Sequence, residues 1–380
     1  MARGVPLAAM SLVLAIAIGW PGSVSSHETV NTTVLFDREI VRVLNSHCVM
    51  CHVEGGPSIP LATYEDVWLQ RRKISAAVIA RHMPPWPALP GYGRFANENV
   101  VTLRESQFIV SWMEGLGPRN AGKVFTNTSG ANASNTAAVR AQIDFGVWPL
   151  GAPDLTRELE PIVVEPNQPD DVKRTAIDLG LTAERTIRAL EYLPGDRRVV
   201  RAAFFTVQET GQWIGSWTPW YGFTKLPDGV GFRLSAGSHV IGEIHYQHGN
   251  DRVVERGKLG LFFDARRAAA TSDLLLEARP DAKARLHAEA TLTADTMVLA
   301  LRPEMPAGIR SLEVRARRAD GRTDVLLFAK DFSPKWPTPY ILAEPALLPR
   351  GTTLSATAYG DNADRPVSMR IVVSTSRPTI

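Results

Sequence analysis

The chain has 380 residues, a formal net charge of +3, 44% apolar and 21% charged residues, and two cysteines. Its length is enough for two or three domains, each with apolar content for a core of its own. The near-balanced charge, without a basic block, argues against a nucleic-acid partner.

The first residues read as a secretory leader, 1–26: Arg3 supplies a positive start, Val5 to Ile18 an apolar stretch, and Gly22 to Ser26 small residues for cleavage. No later stretch approaches about 18 uninterrupted apolar residues, so the mature chain is expected to be exported, with no integral membrane span. Cleavage after Ser26 would leave His27 as a frayed terminus. The sequons at Asn31, Asn127 and Asn132 are expected to be idle in a bacterial protein.

Residues 27–120 read as a small helical domain. Helical spacing of apolar residues covers Val34 to Leu44, Tyr64 to Ala80 and Leu103 to Gly115, the last with a stripe of Phe108, Ile109, Trp112 and Met113. Between the first two lies His47-Cys-Val-Met-Cys-His52, which holds both cysteines. Cys-x-x-Cys followed directly by His is the c-type haem attachment pattern. Two thiols one helical turn apart can each form a thioether to a haem vinyl, and His52 then lies beneath the iron as an axial ligand. A zinc site would need further ligands that the sequence lacks, and a disulfide oxidoreductase would need a βαβ context. The favoured second axial ligand is Met83, stiffened by Pro84 and Pro85; His82 and Met113 compete. Export agrees with one covalent haem c, whose attachment takes place outside the bacterial cytoplasm, in the periplasm.

Residues 121–142 are rich in Asn, Thr, Ser, Gly and Ala and read as a flexible linker. Beyond them short β-branched and aromatic runs alternate with turn signals, among them Arg197 to Val207, His239 to Tyr246 and Lys258 to Phe263. These predict two antiparallel, jelly-roll-like sandwiches, 143–263 and 264–380. The predicted fold class is therefore multidomain: an N-terminal all-α class I cytochrome c domain followed by two all-β sandwich domains. Trp213, Trp217, Trp220 and Tyr221 are expected to be core at a sandwich edge.

The stretches Cys48 to Gly56, Met83 to Pro87, Trp148 to Asp154, Leu193 to Val200, Ile241 to Tyr246 and Leu348 to Gly351 run in an order that resembles a known bacterial family. That family joins a c-type cytochrome to a copper type II, ascorbate-dependent monooxygenase module, the two-sandwich unit of peptidylglycine hydroxylating monooxygenase. The resemblance implies two copper ions, one on a His-His pair plus a strand His, the other on His-x-His plus Met. Residue by residue most of these ligands are replaced. The His-His pair falls on Arg201-Ala202, the His-x-His on Glu304 and Pro306, and Met369 is an uncertain substitute for the methionine. His245 keeps the strand position and is the remaining copper candidate. Five histidines are needed, whereas His239, His245, His248 and His287 are the four that follow the cytochrome segment.

The expected function is electron transfer by a periplasmic monohaem cytochrome with an unidentified periplasmic redox partner. The β-module would serve as a docking or ligand-binding platform. The alternatives are a copper-dependent monooxygenase built around His245 and fed by its own haem, and a structural subunit of a periplasmic redox complex.

Overall fold

The computed structural model describes residues 32–56, 58–119, 146–264, 268–281, 285–304, 306–333, 335–360 and 368–378. The leader, His27, the sequon asparagines, the linker and Met305 lie outside the described residues.

A π-helical turn, Phe36–Ile40, runs into α1 (Val41–His47), followed by α2 (Tyr64–Ile79) and α3 (Leu103–Glu114). Thr63 with Asp66 starts α2 and Thr102 with Glu105 starts α3, each a reciprocal capping box that satisfies otherwise orphaned amides. These helices gather on Phe36, Tyr64, Trp68 and Trp112, whose rings lie 5.0–6.2 Å apart. At Gly117 (φ +60°) an added Cβ would sit 2.3 Å from the Trp68 ring, so only glycine closes this box. No helix among the described residues is long and apolar enough to cross a membrane.

The strands begin with β1 (Leu155–Glu158), β2 (Ile162–Val164), β3 (Asp171–Asp178), β4 (Arg185–Leu193), β5 (Val200–Val207) and β6 (Trp213–Trp217). They continue with β7 (Phe223–Lys225), β8 (Val230–Leu234), β9 (His239–Tyr246), β10 (Val253–Glu255), β11 (Lys258–Phe263) and β12 (Ala269–Pro280). The last are β13 (Leu286–Thr291), β14 (Thr296–Glu304), β15 (Ile309–Arg317), β16 (Thr323–Lys330), β17 (Tyr340–Leu348), β18 (Thr353–Gly360) and β19 (Met369–Ser376). A four-stranded sheet, β3-β9-β5-β6, and a two-stranded one, β10-β2, accompany a sheet of 13 strands that takes in the remaining strands. In β9 the alternation is strict: Val240, Ile244 and Tyr246 enter the core while His239, Glu243 and His245 share the other face.

The predicted fold class does not hold. Among the described residues strand accounts for 44% and helix for 13%, and these residues show no N-terminal all-α cytochrome domain. Two features overturn the expectation. First, the stretch between α2 and α3 leaves the helices and joins the β region as an extended arm. Ala88 bridges to Ala329 and Phe95 to Leu342, and Trp86, Ala88 and Phe95 enter one core with Leu327, Ala329 and Tyr340. Pro84, Pro85, Pro87 and Pro90 forbid helix there, so the arm's backbone groups pair with strand neighbours instead (Leu89 N to Phe328 O, 2.8 Å; Ala96 N to Ile341 O, 2.7 Å). Asn97, 1% exposed, fixes the arm's end by donating to Pro339 O and accepting from Ile341 N. Second, the β halves are not independent sandwiches. Strand β12 pairs in parallel with β8, then antiparallel with β19 and β13, and so stitches them into one sheet. Met297 and Leu299 of β14 belong to the first half's core.

Tyr340 shows that the seam is not fully optimised. Its ring packs between Trp86 and Phe95, yet its hydroxyl is buried without a hydrogen-bond partner among the described residues. Removing an unsatisfied buried hydroxyl relieves its desolvation cost, so Tyr340→Phe is expected to gain about 1 kcal/mol in urea unfolding. A loss of stability would show that the hydroxyl has a partner.

Candidate haem-attachment site

Helix α1 ends in the motif. The amides of Cys48 and Val49 donate to Leu44 O, and those of Cys51 and His52 donate to Cys48 O, which carries a helical turn through the two thiols. Both thiols are free. Burial pushes Cys48 up to about 12, aided by the neighbouring Cys51 thiol. Burial likewise pushes Cys51 up to about 12, against the pull of Arg197 and Arg201. His52 Nδ1 lies 2.8 Å from Ile59 O and donates to it, which fixes the ring and leaves Nε2 as the basic nitrogen. Burial also holds the His52 imidazole below its usual value, toward the neutral form a metal requires.

Cys48, Cys51, His52 and Met83 line one apolar cavity of about 230 Å³. Leu61 and the α2 residues Ile74, Ala77 and Val78 complete its walls. Met83 is delivered from the end of α2, where His82 N and Met83 N both donate to Ala77 O (2.9 and 3.3 Å). Of the competing ligands, His82 faces a neighbouring cavity with Lys330 and Lys335, and Met113 stays on α3 away from this cavity. His47 lines the cavity but is bound on both ring nitrogens, by Asn99 (2.8 Å) and Glu105 (3.3 Å).

Sequence reasoning missed the share of the site that comes from the β region. Trp336, between β16 and β17, lines the cavity. The Arg201 guanidinium lies 5.0 Å from the Trp336 ring centre and is held by Asp170 (2.9 Å) and Gln247. Burial pulls the Arg197 guanidinium down to about 10, offset by the nearby Cys51; it lies 5.3 Å over the Trp217 ring and donates to Pro219 O. Gly55 (φ +70°) lets the motif loop approach Arg198, whose Nη1 would stand 2.9 Å from an added Cβ. The signal available beforehand was Arg201 itself, a charged residue inside an otherwise apolar strand run.

The surviving copper candidate sits in different company. His245 Nε2 lies 3.2 Å from Glu243, and Arg174 (2.6 Å) and Arg302 (3.7 Å) converge on the same carboxylate. Ala202 stands opposite His245 in the β5–β9 register, and Arg302 lies 4.5 Å over the Phe204 ring. His239 shares the face of His245, but six residues of strand separate them by about 20 Å, and His239 pairs with Glu209. His248 contacts Glu165 O at 2.6 Å, His287 contacts Thr357, Glu304 pairs with Arg370, and Met369 is buried in the core. Among the described residues no three His, Cys, Asp or Glu side chains form a metal-binding group.

Glu243 makes this network visible in pH dependence. The hydrogen bond with His245, then Arg174 and Arg302, hold its carboxyl down to about 2 against the opposing effect of burial. A folded-state value below the unfolded one means that the stabilisation is present above about pH 4.5 and disappears as pH falls toward about 2. It amounts to up to about 3 kcal/mol. Glu243→Gln is therefore expected to flatten the acid limb of the urea midpoint against pH. An unchanged limb would remove Glu243 from the account.

No protein-family model matches the chain, and no curated protein matches it. Among solved structures it is similar to N-glycanase F (PNGase F), with 11% identity over 60% of this chain and 97% of that one and a TM-score of 0.30. It is also similar to the STIV MCP, with 7% identity over 59% and 96% and a TM-score of 0.27. The major capsid protein of bacteriophage PM2 follows, with 9% identity over 57% and 97% and a TM-score of 0.25.

Proposed function

We propose that this chain is an exported haem c protein that transfers single electrons to or from a periplasmic redox partner. The observation that carries the reading is the convergence of Cys48, Cys51, His52 and Met83 on one apolar cavity. The residues fit the group: two unbridged thiols one turn apart, an imidazole braced through Nδ1, a thioether on a loop of its own, and apolar walls. Haem bound there supplies reversible one-electron iron chemistry at a potential set by its axial ligands and burial. Cys48 and Cys51 would anchor the group covalently, and His52 and Met83 would hold the iron. Leu61, Ile74 and Val78 would exclude water, and Arg197 and Arg201 supply positive charge near Cys51. The β region acts as a platform that completes the cavity and presents surface to partners.

The test is intact mass and an alkaline pyridine haemochrome spectrum of the full chain, exported by a bacterial host equipped for c-type maturation. One covalent haem per chain is expected, absent in the Cys48→Ala/Cys51→Ala variant. A wild-type mass without haem, or with a Cys48–Cys51 disulfide, would sink the proposal. The copper-enzyme alternative gains no support from His245, which is engaged with Glu243.

A further inference from the structure

A second cavity, of about 300 Å³, opens where β6, β7 and β8 of the first half meet β14, β17 and β19 of the second. Its walls are apolar and largely aromatic, with Trp213, Phe223, Phe232, Leu299 and Ile341. Four polar side chains interrupt them, Lys225, Tyr221, Ser374 and Thr224, and the Thr224 hydroxyl accepts from Ser216 N. Lys225 is exposed at the lip, the only charged residue lining the cavity, and makes no ion pair among the described residues. The Tyr221 ring lies 4.6 Å from the Phe223 ring at a tilt of 37°, and burial raises its phenol, which therefore stays a neutral donor. Ser374, on the central strand β19, is 3% exposed and lines the cavity.

We propose that this cavity binds a phenolic monocarboxylate, with its ring between Trp213, Tyr221 and Phe223, its carboxylate on Lys225 and its hydroxyl on Ser374. An apolar pocket with a few placed polar groups is the usual form of a small-molecule site. A serine hydroxyl lining the cavity can both donate to and accept from a ligand hydroxyl. An unpaired cation at the mouth favours an anion that keeps part of its hydration there, whereas a carboxylate taken to the interior would lose all of it. The aromatic walls favour a ring over an alkyl chain through edge and offset contacts. Neither the haem cavity nor its ligands enter this argument, so the site is expected to work in protein with or without haem.

The test is calorimetric titration of the full chain with para-hydroxyphenylpropionate, phenylpropionate and para-hydroxyphenylpropanol. Para-hydroxyphenylpropionate is expected to bind with a micromolar to sub-millimolar Kd. Lys225→Gln is expected to weaken it about fivefold or more, and the alcohol to bind equally weakly to wild type and variant. Ser374→Ala is expected to cost about fivefold for the phenolic acid and nothing for phenylpropionate, as one lost hydrogen bond would. Ala343→Trp, an exposed position at the lip, is expected to block the mouth and leave the melting temperature unchanged. Absence of binding at millimolar ligand, equal affinity for acid and alcohol, or indifference to Ala343→Trp would overturn the proposal. The same Kd in the Cys48→Ala/Cys51→Ala variant would separate this result from that of the haem reading.

Discussion

Met83→His is expected to retain the covalent haem while lowering its reduction potential by a sizeable part of the roughly 0.8 V that axial ligation spans. Thioether attachment depends on Cys48 and Cys51 and on the turn that α1 projects through them, and Met83 takes no part in either. A thioether ligand, as proposed for Met83, would stabilise the reduced iron, whereas a second imidazole would favour the oxidised state. Met83→Ala is the companion variant. It is expected to keep full haem content but admit exogenous imidazole, because a cavity position otherwise filled by the methionine is vacated. Potentiometry and imidazole titration read the two outcomes. Unchanged potentials in both variants would remove Met83 from the iron and direct attention to His82, next to it in the chain.

Trp86→Ala is expected to cost about 3–5 kcal/mol of stability, the usual loss for a large buried aromatic. Trp86 is 7% exposed, and its ring meets Phe95 at 5.9 Å and Tyr340 at 5.4 Å in edge-on contacts. It is also the first residue of the arm to enter the β core, only three positions after Met83. Its truncation therefore loosens the ligand loop as well as the core. Urea unfolding measures the first effect. The second appears as imidazole binding at urea concentrations below the unfolding transition, where wild type remains closed. A loss under about 1 kcal/mol would show that the arm is not seated as described.

The same residues explain why part of the site was legible in the sequence. Cys48, Cys51 and His52 are a local pattern within one helical turn, so spacing alone states their chemistry. Met83 was marked by the prolines that follow it. The strands β5, β9 and β11 were equally visible, β9 by its period of two and β5 and β11 as short buried runs of apolar and aromatic residues. The arm was not visible. Its prolines exclude helix but do not say where Trp86, Ala88 and Phe95 will be buried; that was decided by the open edge of the second half, some 240 residues away along the chain. The join between the two β halves was not visible either, because β12 changes partners along its length and a sequence pattern records only that a strand exists.

The sequence by itself carried the Cys-x-x-Cys-His pattern on which the proposed anchor and axial imidazole rest, the proline-flanked methionine, and the absence of histidines from the positions the resemblance would fill. Tertiary structure decided the rest. It placed Trp336 against the cavity, brought Arg197 and Arg201 of the β region toward Cys51, engaged His245 with Glu243 and Arg302, and formed the second cavity between the two halves. The physical reason is the range of the interactions. A helical turn and a strand period are properties of neighbouring residues, whereas burial, charge pairing and cavity shape arise only when distant segments pack.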